Sequence, residues 1–231
     1  MTALASLLLA DSRLPTGGHA HSGTMEAAVE RGLVRNEADL GLFLAGRLRG
    51  CGSVVAAVAA AGCLLASAAA VKWGEWDAAL SARTPSAAAR EASRAQGVTL
   101  LRTARRVWPS AALDALAEVG RPHHPLVLGT TVAAVAAARD DAEIAASLAL
   151  HHLLGGACAA AVRLLGLDPI AVAAVQAAAS RPAERIAQAG AGAARDAVAQ
   201  QDPRLLPSAG TPLPEVLAEL HARAEVTLFA S

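Results

Sequence analysis

Apolar side chains recur at helical spacing along most of this chain, and short polar breaks containing Gly or Pro separate the apolar stretches. Leu40, Leu44 and Leu48, for example, stand four residues apart and therefore share one face of a helix. At Asp168-Pro169, a capping residue followed by Pro marks the start of another helix. The whole pattern predicts an all-α protein: a single compact bundle of about ten helices, with apolar, Ala-rich helices at its centre.

The amino-acid composition supports the helical prediction and limits the class of partner. The 231 residues are 54% hydrophobic but only 2% aromatic, so the residues that favour strands are scarce. Much of the hydrophobic content is Ala, which has the best intrinsic helix propensity. Twenty basic residues balance twenty acidic ones, so no excess of positive charge points to nucleic acid or to an anionic membrane.

The C-terminal part of the chain has a different composition. Four prolines lie between residues 202 and 214, which is typical of a mobile linker rather than of a helix. A last helix and a short tail, residues 215–231, follow this linker. We therefore expect a helical domain in residues 1–201 and, in residues 202–231, a Pro-rich linker with a partner-binding helix and tail.

One apolar stretch is long enough to cross a membrane, since Gly50 to Val71 contains no charged residue. Most of it is Ala, Gly, Ser and Val, with Leu64 and Leu65 as its only strongly apolar residues. Because Ala contributes little to membrane insertion, the stretch favours a buried helix of a bundle, and a small membrane protein is the weaker alternative. The N-terminus also lacks the basic region of a signal peptide, so we expect a cytoplasmic protein.

No motif in the sequence carries catalytic chemistry. The phosphate-binding loop GxxxxGK[ST], the zinc motif HExxH and the nucleophile motif GxSxG are all absent from the sequence. Cys51, Cys63 and Cys158 are widely spaced and odd in number, which argues against a disulfide scaffold or a zinc site. We expect no cofactor and no enzymatic activity.

The histidines and one group of arginines are the remaining polar candidates. His19 and His21 could offer two imidazoles to a metal ion, whereas His151-His152, if helical, would point about 100° apart and chelate poorly. Five arginines fall on about half the circumference of one predicted helix, which indicates a solvated face or, less strongly, a protein-binding patch. They are Arg90, Arg94, Arg102, Arg105 and Arg106.

The N-terminal stretch resembles the signature of the UreF family of urease accessory proteins. Residues 7–30 carry the Leu-Pro-x-Gly turn and the Ser and Glu of that signature. His19 and His21 stand where the family commonly has aromatic residues, which favours a packing role for them over metal binding. The matching residues are Leu14, Pro15, Gly17, Ser22 and Glu26.

Three further blocks resemble the same family in the same order. Ser93 and Gly97 match its central helix, and Arg163 lies in a segment similar to its Ala-Val-Arg-Leu block. The chain ends like the family's C-terminal motif, although Ala222 and Thr227 replace its usual Glu and Arg. The residues that match this ending are His221, Leu228, Phe229 and Ser231.

Membership of this family would imply a non-enzymatic maturation factor with an all-α fold that forms a homodimer. The resemblance implies that it joins UreD (also called UreH) and the GTPase UreG to deliver nickel to apo-urease, with no role in nucleic-acid or membrane binding. The family's C-terminal segment contributes to the UreD/UreH contact, so we expect Leu228 and Phe229 to be apolar anchors on a partner. The alternative is a nickel-binding metallochaperone that uses the loop histidines.

Overall fold

The computed structural model describes residues 3–11, 13–16, 21–136, 141–210, 212–224 and 228–229. This part of the chain is helical and holds no β-strand, which confirms the all-α prediction. A π-helical turn (Leu48–Gly52) and a short 3-10 helix (Pro203–Leu205) accompany twelve α-helices. These are α1 Ala3–Ala10, α2 Met25–Glu30, α3 Glu37–Arg47, α4 Ser53–Leu65, α5 Trp73–Ala82, α6 Ala87–Val107, α7 Ala111–Ala117, α8 His124–Ala136, α9 Ala142–Leu165, α10 Pro169–Ala178, α11 Ser180–Ala199 and α12 Pro212–His221.

Local sequence signals set many of the helix boundaries. Asp168 caps α10, because its side chain accepts a hydrogen bond from the backbone N–H of Ile170 with Pro169 at the first helical position. Ser86 caps α6 by accepting from the N–H of Ala89. The π-helical turn between α3 and α4 contains Gly50 and Gly52, where glycine weakens the regular helical backbone.

Helix α4 lies at the centre of the bundle and packs against α8, α9 and α11. Its residues Ala56 to Ala61 are all buried, and their small side chains let neighbouring helices approach closely. At the contact with α8, a methyl group on Gly129 would overlap the carbonyl of Ala59, and one on Gly62 would press on the carbonyl of Leu126. Two glycines facing each other therefore set the spacing of these two core helices.

Two helical stretches are long and apolar enough to cross a bilayer by length and composition, Glu37–Leu65 and Ala142–Leu165. In the most apolar part of each, 72% and 56% of the residues respectively are buried inside the protein. Helices of a soluble core have the same length and burial. The uncharged stretch therefore packs inside the bundle along α4, whereas residues 67–70 near its end are exposed.

Candidate partner-binding site

The Pro-rich segment that follows α11 is tied to the domain by one arginine. The guanidinium of Arg83, at the end of α5, donates to the carbonyls of Pro203, Leu206 and Pro207 at 3.1, 2.8 and 2.9 Å. It also reaches the carbonyl of Arg204 at 3.1 Å. The side chain of Leu206 is buried. A side chain distant in the sequence therefore satisfies the carbonyls of this Pro-rich segment.

Two glutamates of α12 bind the start of α6. The carboxylate of Glu219 accepts from the Ser86 hydroxyl at 2.7 Å and from the Ala88 N–H at 2.9 Å. Glu215 accepts from the Ser86 N–H at 2.6 Å. Because the first N–H groups of a helix lack partners within the helix and carry partial positive charge, these hydrogen bonds lower the pKa of Glu219. They attach the C-terminal helix to the bundle.

The described part of the tail docks onto a buried carboxylate near the N-terminus. The side chain of Glu26, on the first turn of α2, is only 3% exposed. Its two oxygens accept the backbone N–H groups of Leu228 at 2.6 Å and Phe229 at 3.0 Å. A buried carboxylate is costly unless it is hydrogen-bonded, so Glu26 and the tail backbone stabilise each other.

Two further residues fix the position of Phe229. The buried imidazole of His221 donates through Nε2 to the carbonyl of Phe229 at 3.1 Å. The guanidinium of Arg163, which projects from the last turn of α9, lies 4.4 Å from the centre of the Phe229 ring. This distance is within the range of a cation–π contact. The tail is thus held through its backbone, its carbonyl and its aromatic ring.

Leu228 and Phe229 face different surroundings in this docked tail. Phe229 is 7% exposed, whereas Leu228 is 78% exposed. The ring expected to anchor on a partner is therefore covered by its own chain, and Leu228 is the large apolar side chain that the docked tail presents outward. Ser231, the last residue of the predicted motif, lies outside the described residues.

The other residues of the N-terminal signature hold the same region in place. The Ser22 hydroxyl, fully buried, accepts from the Glu26 N–H at 3.4 Å. Leu14 is buried, and the carbonyl of Pro15 accepts from the Thr103 hydroxyl of α6 at 2.7 Å. These contacts join the first loop to α6 and position α2. Gly17 lies outside the described residues.

The central-helix residues of the predicted site belong to a second cluster, between α6 and the start of α8. A methyl group on Gly97 would overlap the carbonyl of Pro122, so only Gly allows α6 to approach this turn. The Ser93 hydroxyl lies 3.0 Å from Nδ1 of His123, whose Nε2 lies 2.9 Å from the Ser81 hydroxyl. Ser93 therefore belongs to a hydrogen-bonded cluster with His123, and Gly97 permits the close approach of α6 to the turn before α8.

The cluster around His123 has the residue types of a catalytic triad but the wrong geometry. The carboxylate of Asp77 accepts from the backbone N–H of His123 at 2.8 Å and pairs with Arg94, also at 2.8 Å. It does not orient the imidazole, as the acid of a triad would. Burial, opposed by the charge of Asp77, lowers the pKa of His123 to about 4. His123 is fully buried, so this neutral imidazole is closed to substrates.

Several histidines gather where α8 and α9 meet the first loop. The rings of His124 and His152 have centroids 5.6 Å apart, and Nε2 of His152 donates to the Leu9 carbonyl at 2.9 Å. Burial, together with His152 and His21, lowers the pKa of His124 to about 3. No three His, Cys, Asp or Glu side chains of the described ranges are grouped to hold a metal ion. His19 lies outside those ranges.

Known proteins of one family resemble this chain over most of its length. The model of the UreF family matches residues 34–180. The chain belongs to the UreF family. It is 44% identical over 236 aligned residues to the urease accessory protein UreF of Mycolicibacterium vanbaalenii and 42% identical over 237 to that of Mycobacterium marinum, with all of each chain covered. The UreF of Mycobacterium bovis BCG Pasteur is 44% identical over 81% of this chain and 85% of its own.

The UreF signature residues separated in sequence meet at the tail site. Glu26 comes from the N-terminal block, Arg163 from the block on α9, and His221 and Phe229 from the C-terminal motif. The first three each contact Phe229. Sequence reasoning missed Arg83, Glu215 and Glu219, which hold the rest of the C-terminal segment. In the sequence, each of these three is simply a charged residue near a break between helices. Such residues are common on protein surfaces, so they do not indicate a contact.

Proposed function

We propose that this chain is a non-enzymatic adaptor of urease maturation that joins UreD/UreH and the GTPase UreG to deliver nickel to apo-urease. Family membership supports a role in urease maturation. The absence of a phosphate-binding loop in the sequence is consistent with a division of labour in which UreG supplies the nucleotide chemistry. Nickel is the cargo of the assembly in this proposal. We further propose that the chain works as a homodimer in the cytoplasm.

The observation that carries the adaptor proposal is the docked C-terminal tail. Glu26 and His221 hold the backbone around Phe229, and this arrangement turns Leu228 outward. An exposed large apolar side chain on a backbone fixed at several points suits a protein contact, because little conformational entropy is lost when a partner covers it. We propose that Leu228, presented in this way, contacts UreD/UreH.

The assembly itself can be measured with purified proteins. The chain is mixed with UreD/UreH and UreG in the presence of GTP and magnesium, and light scattering after size exclusion gives the molar mass. We expect a ternary complex. The absence of any complex, with each partner shown to be folded by circular dichroism, would refute the adaptor function.

The contribution of the tail is tested by two tail variants and one matched control variant. Leu228→Ser is expected to weaken co-purification with UreD/UreH, as is deletion of residues 227–231. Leu205→Ser serves as the matched control, because Leu205 is also exposed, at 44%, and belongs to the 3-10 helix rather than to residues 227–231. Unchanged co-purification of both tail variants would exclude the tail as the UreD/UreH contact.

A further inference from the structure

A groove runs between the C-terminal half of α6 and helix α7. It has a volume of about 480 Å³. Val98 and Leu101 line its α6 side, while Ala117 and Gly120 line the facing side. The facing residues are small, so the groove stays open although the two helices are joined by a short turn. Val98 is 39% exposed and Leu101 is 6% exposed, so Val98 supplies most of the apolar floor that solvent can reach.

The rim of this groove is basic. Arg102, Arg105 and Arg106 line it together with a single carboxylate, that of Asp114. Asp114 pairs with Arg105 at 2.7 Å, and the two side chains are 61% and 49% exposed. The side chains of Arg102 and Arg106 form no hydrogen bond or ion pair within the described residues. The rim therefore carries two more positive than negative charges on a chain that is neutral overall.

Helix stability explains only part of this arrangement. Arg105 and Arg106 lie in the last turn of α6, where positive charge is favourable at the negative end of the helix dipole. Arg102 lies a turn earlier and gains less from that effect, and the dipole gives no reason for an apolar floor beneath the arginines. The other two arginines of this helix, Arg90 and Arg94, instead bind backbone carbonyls of neighbouring turns.

The chemistry of the groove selects one class of partner. No aromatic side chain lines it, so it lacks the stacking surface on which single-stranded nucleic acid depends. An apolar floor with a basic rim complements a protein segment that carries apolar side chains on one face and carboxylates beside them. The exposed Arg105–Asp114 pair can be exchanged at little cost, because exposed ion pairs contribute roughly 0–1 kcal/mol.

We propose that the α6–α7 groove is a docking site for an acidic amphipathic segment of a partner protein. Apolar side chains of the segment pack on Val98 and Leu101, and its carboxylates pair with Arg102 and Arg106. The groove is independent of the tail site, which is formed by other side chains of α2, α9 and α12. The inference therefore does not depend on the proposed urease function.

A synthetic peptide tests the groove directly on the full chain. The probe is a fluorescein-labelled peptide of about 12 residues, roughly three helical turns, built from alternating Glu-Glu and Leu-Leu pairs. We expect fluorescence anisotropy to show saturable binding that weakens as NaCl is added, since salt screens exposed charges. The double variant R102E/R106E should bind the peptide at least about tenfold more weakly than the wild type does. R181E, a charge reversal at an exposed arginine on α11, is the matched control and should bind as the wild type does.

Three results would overturn the proposal. One is no binding of the Glu-Leu peptide to the wild type, and another is equal binding by wild type and R102E/R106E. The third is tight binding of a fluorescent single-stranded RNA that R102E/R106E abolishes, because the arginines would then serve nucleic acid. Charge exchange gives a positive check on the double variant: a peptide with Lys in place of Glu should bind R102E/R106E better than the wild type.

Discussion

Replacing Glu26 with Gln should release the C-terminal tail while leaving the bundle folded. The Glu26 carboxylate accepts two backbone N–H groups, those of Leu228 and Phe229. Gln keeps the size of the side chain but offers only one oxygen, and its amide NH₂ would face the second N–H. One hydrogen bond to a charged group is therefore lost, and the surviving one becomes neutral.

The magnitude follows from these two contacts. A hydrogen bond to a charged group contributes roughly 1.5–3 kcal/mol, and a neutral one about 1 kcal/mol. We therefore expect Glu26→Gln to reduce the free energy of tail docking by about 2–5 kcal/mol. Since every 1.4 kcal/mol is a factor of ten, the tail should open about 30- to 4,000-fold more often. The global unfolding free energy should change less, because tail opening is a local event.

Hydrogen exchange at the amides of Leu228 and Phe229 measures this opening. Their exchange rates should rise by the predicted factor in Glu26→Gln, whereas those of α4 amides should stay unchanged. Glu30→Gln is the matched control, since Glu30 lies on the same helix, is exposed and, among the described residues, pairs with Arg31 alone, at 3.5 Å. Equal exchange in wild type and Glu26→Gln would refute the role of Glu26 in holding the tail, as would an equal rise in the control.

Three other predictions concern the bundle and its attachments. Gly97→Ala should destabilise the fold by about 1–3 kcal/mol or more through overlap with the Pro122 carbonyl; thermal melting checks this, and Gly192→Ala, where no atom lies within 4 Å of the added methyl group, should not lower Tm. The pKa of His123 is about 4 in the folded chain and ordinarily 6.5. Between pH 4 and pH 6.5, the unfolded chain therefore binds a proton on His123 that the folded chain does not. Stability should fall by about 1.4 kcal/mol per pH unit as pH drops from 6.5 to 4, as measured by urea unfolding, and His123→Asn should flatten this slope. Arg83→Met should free the carbonyls of residues 203–207 and speed trypsin cleavage after Arg204, while Arg181→Met should leave cleavage there unchanged; equal cleavage in both would contradict the role of Arg83.

Local signals made most of the fold predictable from sequence. The Asp168-Pro169 start of α10 and the Trp108-Pro109 end of α6 need only neighbouring residues, since caps and prolines act within one turn. The uncharged stretch after Gly50 was identified as a core helix because small apolar residues favour burial over membrane insertion. Helix α4 confirms that interpretation for Ser53–Leu65, whose small side chains pack against three neighbouring helices, whereas residues 67–70 form an exposed turn.

The candidate site was only partly predictable, because its contacts join distant residues. The family resemblance selected Glu26, Arg163, His221 and Phe229, but no pattern indicated that they contact one another. Glu26 binds backbone N–H groups of a tail that lies 202 and 203 positions further along the chain. The Pro-rich segment reads as a linker because its own residues offer few hydrogen-bond partners, and a guanidinium from 120 to 124 positions away supplies them.

The role of this chain in urease maturation is tested most directly by the nickel content of urease. Urease is purified from cells that express its structural and accessory genes with or without this chain, and nickel per active site is measured by elemental mass spectrometry together with urease activity. The account predicts nickel-poor, weakly active urease without the chain and restoration of both nickel and activity when the chain is supplied. Fully nickel-loaded, active urease in its absence would contradict the account.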